Sequence, residues 1–190
     1  SVPLGEHHLV RAVVVALVRQ REAVLNDHRD EAGVLLEERA AALVGKEAAM
    51  FVPSGTMANL IAVMTHTRAG DEILLGDQCH IFNYEVAGAA RLAGVQSHAL
   101  KNTEDGALDL AEVEAAIREP NIHAPRNPLL CLENTHNRCG GAALDVATMD
   151  GLAELAHGHG MQVHLDGARL FNASAALEVP FPAPAGMNRS

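Results

Sequence analysis

Aromatic residues are scarce in this chain: it holds no Trp, one Tyr and four Phe, although 48% of its residues are hydrophobic. Its core must therefore be built from Leu, Val, Ala, Ile and Met. Cysteine is sparse too. Cys79, Cys131 and Cys139 have no C-x-x-C spacing, which argues against a disulfide framework or a zinc cage and makes a reducing cytoplasm the default compartment. Positive charge is short, with 14 Lys and Arg against 24 Asp and Glu and a net charge of −10. That balance argues against a nucleic-acid partner, which calls for a basic stripe. No apolar run reaches the roughly 18 residues that a membrane span needs. The apolar stretch 10–18 is short and interrupted by Arg11, and its flanks lack a signal peptide's cleavage site. No internal repeat is visible, and 190 residues allow one domain, or one domain plus a fragment.

What is present is an alternation. The stretch 31–44, EAGVLLEERAAALV, has helical spacing, and Gly45 stands where a C-cap belongs. Strand candidates at 48–52, 72–76, 95–100, 129–133 and 161–165 alternate with helical stretches at 56–67, 84–93, 109–118 and 147–159, and another helix starts at Leu170. Asp109 with Glu112 makes a capping box for the helix over 109–118. Strands alternating with helices of about ten residues predict an α/β fold, a mainly parallel sheet with helices on both faces. Residues 1–30 form a divergent segment expected to be helical. The tail 181–190, FPAPAGMNRS, differs in kind and is expected to be unrelated or disordered: a loop toward a further domain, or the mark of an interruption near Pro180.

Four groups of residues could carry chemistry. Ser54-Gly55-Thr56 lies between a strand and a helix, where backbone amides, hydroxyls and the helix dipole can hold a phosphate; most such turns are simply helix caps. His164-Leu165-Asp166-Gly167-Ala168-Arg169 ends an apolar strand in a carboxylate. Asp166 there could keep a ring nitrogen protonated and Arg169 could meet a ligand oxygen, or Asp166 could cap a helix and Arg169 sit in a surface ion pair. Cys79-His80 follows the strand over 72–76; His80 could stack on a flat cofactor or be a loop residue. Glu133-Asn134-Thr135-His136-Asn137 follows the strand over 129–133, with Asn and His expected to face the same crevice, or to form an Asx-turn. All four groups sit at the C-terminal ends of strands, a concentration that independent caps and turns do not require.

Three motifs in order, FVPSGTMANL (51–60), LENTHN (132–137) and HLDGARLFNA (164–173), together with Gly45-Lys46-Glu47-Ala48-Ala49, resemble the threonine aldolase / β-eliminating lyase family. The resemblance covers residues 31–180 and implies part of the large domain of an aspartate-aminotransferase-like, pyridoxal-phosphate-dependent fold. It implies that Ser54, Gly55 and Thr56 hold the cofactor phosphate. His80 would stack on the pyridine, Asp166 pair with its nitrogen, and Arg169 meet the ring oxygen side or the substrate carboxylate. Glu85 and His123 would be further active-site polar residues, and no metal is implied. It also implies a small amino-acid substrate, threonine or allo-threonine, split into glycine and an aldehyde, and assembly as homodimers or homotetramers. An aminotransferase or β-eliminating lyase of the same fold is an alternative that HLDGARLFNA disfavours.

The departures bear on activity. The family's R-S-D-T-V-T-like opening is SVPLGEHHLV here, and Asn26-Asp27-His28-Arg29-Asp30-Glu31-Ala32-Gly33 replaces a segment that carries a tyrosine. The family's Schiff-base lysine lies in an S-K-G motif beyond DGAR, and the chain ends before that position. Its two lysines, Lys46 and Lys101, match neither that motif nor its place, and arginine stays protonated and cannot replace them. The expectation is a carbon–carbon lyase by family, with an inactive fragment of that family as the alternative.

Overall fold

The computed structural model describes residues 12–15 and 31–179. In chain order the elements are β1 (Ala12–Val15), α1 (Glu31–Leu43), β2 (Ala48–Phe51), α2 (Gly55–His66), β3 (Glu72–Gly76), α3 (His80–Asn83), β4 (Gln96–Leu100), α4 (Leu110–Ala116), β5 (Leu129–Glu133), α5 (Val146–Gly158), β6 (Gln162–Asp166) and α6 (Leu170–Ala176). Between α3 and β4 the chain makes a 3-10 turn at Glu85–Ala87 and a π-helical turn at Ala89–Ala93.

Short continuous apolar runs make the central strands. EILLG in β3 and LLCLE in β5 are buried at every residue, as parallel strands covered on both faces must be. The order is β4-β3-β5-β6, and all the pairings are parallel. The two-residue period of a strand sorts side chains to two faces. Leu74, Leu130, Leu132 and Val163 pack with Val113 of α4 and Leu152 and Ala156 of α5. Ile73, Leu75, Leu129 and Cys131 pack with Val63 of α2, Ile81 of α3 and Ala89 and Ala93 of the π turn. Each buried Leu or Ile stabilises this sandwich by roughly 1.5–3 kcal/mol. Helix starts are fixed by side-chain caps: Ser54 accepts from the Met57 amide, Asp109 from those of Ala111 and Glu112, and Asp145 from that of Thr148.

Two expectations need correcting. Within residues 1–30, Ala12–Val15 is a strand paired in parallel with β2, in keeping with its β-branched run of valines; the rest of that segment, and residues 180–190, lie outside the described residues. The helix expected over 84–93 is broken. Glu85, Val86 and Ala87 have φ of 62°, 55° and 54°, the left-handed region that a right-handed helix cannot contain. Their reversal turns the Glu85 carboxylate inward, onto α2 and His80.

The N-terminal edge of the sheet is closed by ion pairs. Arg126 holds buried Asp71 at 2.7 and 3.0 Å, and Arg118 holds buried Glu72 at 2.8 and 3.1 Å. Asn127, His98 and Gln96 complete the shell of Glu72. Burial alone would raise the Glu72 pKa, but the Arg118, Asn127 and His98 hydrogen bonds and the Arg118 charge bring it down to about 2. Among the described residues no helix is long and apolar enough to cross a membrane.

Candidate active site

The chain leaves β3 for β4 on one side of the sheet and returns to β5 on the other. The loops that follow β3 and β5 therefore diverge, and an open α/β sheet keeps its ligand crevice at such a reversal, beyond the strands' C-terminal ends. The two loops are tied across it: the His80 amide donates to Glu133 Oε2 at 2.7 Å, and the Asn137 amide donates to Glu133 Oε1 at 2.9 Å.

Three of the expected site residues meet there. His80 Nδ1 lies 2.7 Å from Glu85 Oε1. A carboxylate only accepts, so Nδ1 carries the shared proton and Nε2 keeps its lone pair unless the ring is cationic. His80, Glu85 and Asp166 bring ligand atoms within 4.8 Å of one another. The Asp166 carboxylate accepts from the Ala168 amide at 3.2 Å and from the Asn59 amide group at 2.8 Å. Asn59 stands on α2, one turn beyond Gly55 and Thr56, so the helix start and Asp166 share one edge of the sheet. That start is open. A Cβ added at Gly55 would meet nothing within 4 Å, and the first amides of a 12-residue helix point outward with the helix dipole behind them. Ser54 has the capping role as well, accepting from Met57 at 3.2 Å.

Arg169 is held by the neighbouring loop. It donates to Thr135 Oγ1 at 3.1 Å, to Thr135 O at 3.2 Å and to Asn137 Oδ1 at 3.0 Å, and stands 3.8 Å from Glu133. The guanidinium is thereby fixed in orientation with part of its donor fork still exposed.

Other expectations are not met. His123 is exposed, and its amide is engaged by Asn121. Its loop leads to Arg126 and Asn127, which bind Asp71 and Glu72 at the opposite edge. The structure does not bring His123 to the cluster. Asn134 and His136 turn inward instead of facing the crevice. Asn134 exchanges two hydrogen bonds with the backbone of Leu144, and His136 is 1% exposed beneath Gly106. Their loop must be braced where it leaves a buried strand. Burial, with Glu133 and Glu85 nearby, outweighs backbone hydrogen bonds and pushes the Cys79 thiol up to about 12.

Asn59 and His164 were missed as members of the site. A signal existed for Asn59, the lone polar residue in the buried stripe Ala58, Asn59, Ala62, Val63 of α2; an amide placed there needs a partner.

The fold is that of part of an α/β large domain, with His80, Glu85 and Asp166 brought together at the C-terminal edge of its sheet. The Beta-eliminating lyase family model matches residues 18–183, and the chain belongs to that family. Low-specificity L-threonine aldolase 1 of Arabidopsis thaliana is 53% identical over 148 residues, covering 76% of this chain and 41% of that protein. Low specificity L-threonine aldolase of Escherichia coli K12 is 40% identical over 141 residues, covering 74% and 41%. A threonine aldolase structure from Leishmania major superposes with a TM-score of 0.60 at 25% identity, covering 73% of this chain and 41% of that one. The chain thus spans about two fifths of the length of the curated relatives it matches. Family membership implies pyridoxal phosphate as the cofactor.

Proposed function

We propose that this chain supplies the cofactor-holding half of a threonine-aldolase-like lyase, acting on β-hydroxy-α-amino acids such as threonine. The observation that carries this reading is the convergence of His80, Glu85 and Asp166 one helical turn from the open start of α2. The residues suit pyridoxal phosphate chemically. The amides of Gly55 and Thr56 and the Ser54 and Thr56 hydroxyls suit a phosphate. Asp166 suits a protonated pyridine nitrogen, and the flat face of His80 suits the ring. When bound, the cofactor supplies an electron sink for cleavage of the Cα–Cβ bond. Glu85 orients the His80 ring, leaving Nε2 to accept the β-hydroxyl proton. Arg169, fixed by Thr135 and Asn137, suits the substrate carboxylate.

A second reading is a chain that holds the cofactor without turnover. It is favoured by the two lysines: Lys46 lies between α1 and β2, and Lys101 follows β4, which is separated from β6 by β3 and β5. The experiment adds pyridoxal phosphate and then threonine to residues 1–190 and measures cofactor binding alongside glycine and acetaldehyde. Binding with products supports the first reading, and binding alone supports the second. Failure of saturable binding, or binding indifferent to Asp166→Ala, removes both.

A further inference from the structure

Asn59 is 4% exposed, and a buried amide is costly unless its hydrogen bonds are made. Here three are made. Nδ2 donates to Asp166 Oδ2 and to Glu85 Oε1, each at 2.8 Å, and Oδ1 lies 2.8 Å from His164 Nε2. The amide has one workable orientation, because a flip would set its oxygen against two carboxylates. His164 locks that orientation from behind. Burial, opposed by the charge of Asp166, pulls the His164 pKa down to about 4, so the ring is neutral near pH 7 and its Nε2 proton is the one given to Asn59.

We propose that Asn59 is a positioning residue: it holds the Asp166 carboxylate toward the cofactor's ring nitrogen and couples it to the His80–Glu85 pair, with His164 fixing the amide. This rests on the role given to Asp166 above. The Asp166 side chain is gripped on one oxygen by the Ala168 amide and on the other by Asn59, so its plane cannot turn freely. The choice of an amide matters. Lys or Arg in that place would neutralise Asp166 and leave it little to offer a cation. Asn59 satisfies two acids and adds no charge, so the negative charge of Asp166 stays available to a protonated ring nitrogen.

The test uses the 190-residue chain and two probes, pyridoxine 5′-phosphate and its analogue with the ring nitrogen replaced by carbon. Neither carries an aldehyde, so no lysine is needed. Dissociation constants come from fluorescence titration, with thermal unfolding to establish that each variant is folded. The unsubstituted chain should prefer the nitrogen-bearing probe about tenfold or more, the scale of one charge-assisted hydrogen bond. Asn59→Ala should erase most of that preference while leaving affinity for the carbon analogue within about threefold, since the phosphate contacts are untouched. His164→Gln keeps a donor facing Asn59 and should keep the preference; His164→Leu removes it and should erode the preference. A preference that Asp166→Ala abolishes but Asn59→Ala leaves intact overturns this inference alone. Equal weakening of both probes by Asn59→Ala, with His164→Leu indistinguishable from His164→Gln, also overturns it and makes Asn59 a packing residue. No preference in the unsubstituted chain overturns the role of Asp166 and this inference with it.

Discussion

The two edges of the sheet treat their acids in opposite ways. At the N-terminal edge, Asp71 and Glu72 each face a guanidinium held by two hydrogen bonds, and their charge is spent inside the protein. At the C-terminal edge, Glu85 and Asp166 share the neutral amide of Asn59, and the imidazole of His80 meets the same Glu85 oxygen, Oε1. Glu133 is bound by two backbone amides, with Arg169 at 3.8 Å. An acid closed by arginine props up a fold, whereas one held by neutral donors retains a charge to offer a ligand.

Paired substitutions would break the comparison most sharply. Glu72→Ala deprives Arg118, Asn127 and His98 of their shared partner and should cost about 2–4 kcal/mol in urea unfolding, as loss of one member of a buried charge network does. Asp166→Asn should change stability by less than about 1 kcal/mol while abolishing the preference for a ring nitrogen. Equal destabilisation by the two would erase the distinction between the edges.

Acid separates the edges next. The unfolded chain protonates His164 at its ordinary value of 6.5, but the folded chain resists until about 4. Stability therefore falls as pH drops between those values. Glu72 acts lower: its ordinary value is 4.5 and its folded value about 2, so its contribution is whole above 4.5 and disappears toward 2. Each window should remove on the order of 2–3 kcal/mol. Urea midpoints against pH should show a shallower upper slope in His164→Gln, where His66 and His136, also lowered by burial, keep a part of it, and a shallower lower slope in Glu72→Gln. A single undivided acid transition in all three proteins would count against the assignment.

The smallest effect concerns the left-handed turn. Val86 is 84% exposed with φ at 55°, so its β-branched side chain contributes little packing and opposes its own backbone. Val86→Gly should raise stability by about 0.5–1 kcal/mol, read as a shift in Tm. A loss would mean that the side chain has an unseen contact.

The strands β3 and β5 were legible to the residue, because a continuous apolar run bounded by polar residues leaves little freedom. The caps Asp109 and Ser54 were legible because their chemistry is local. The turn at Glu85–Ala87 was not, since YEVAGAARLA has helical propensity, whereas the turn sets Glu85 against Asn59 and His80, which lie outside that stretch. At the site, His80, Asp166 and Glu85 came from strand-end logic and family resemblance. Strand-end logic failed for Asn134 and His136, which brace their own loop. Resemblance alone suggested His123, which the structure leaves exposed and does not bring to the cluster. Asn59 and His164 lie within regular elements; the apolar stripe of α2 marks Asn59 as a buried amide, but the partners of both residues come from other elements and are known only from the fold.

Asn59 and Asp166 are 107 residues apart in sequence. Closing a loop of that length is entropically unfavourable, and parallel pairings between distant strands form slowly. The crevice is therefore expected to exist only after β6 has docked, late in folding. A molecule gripping both the start of α2 and Asp166 would then act as a latch rather than a seed. With pyridoxine phosphate present, the unfolding arm of a chevron should slow while the refolding arm stays where it was, and a faster refolding arm would mean that the crevice is already present in the transition state.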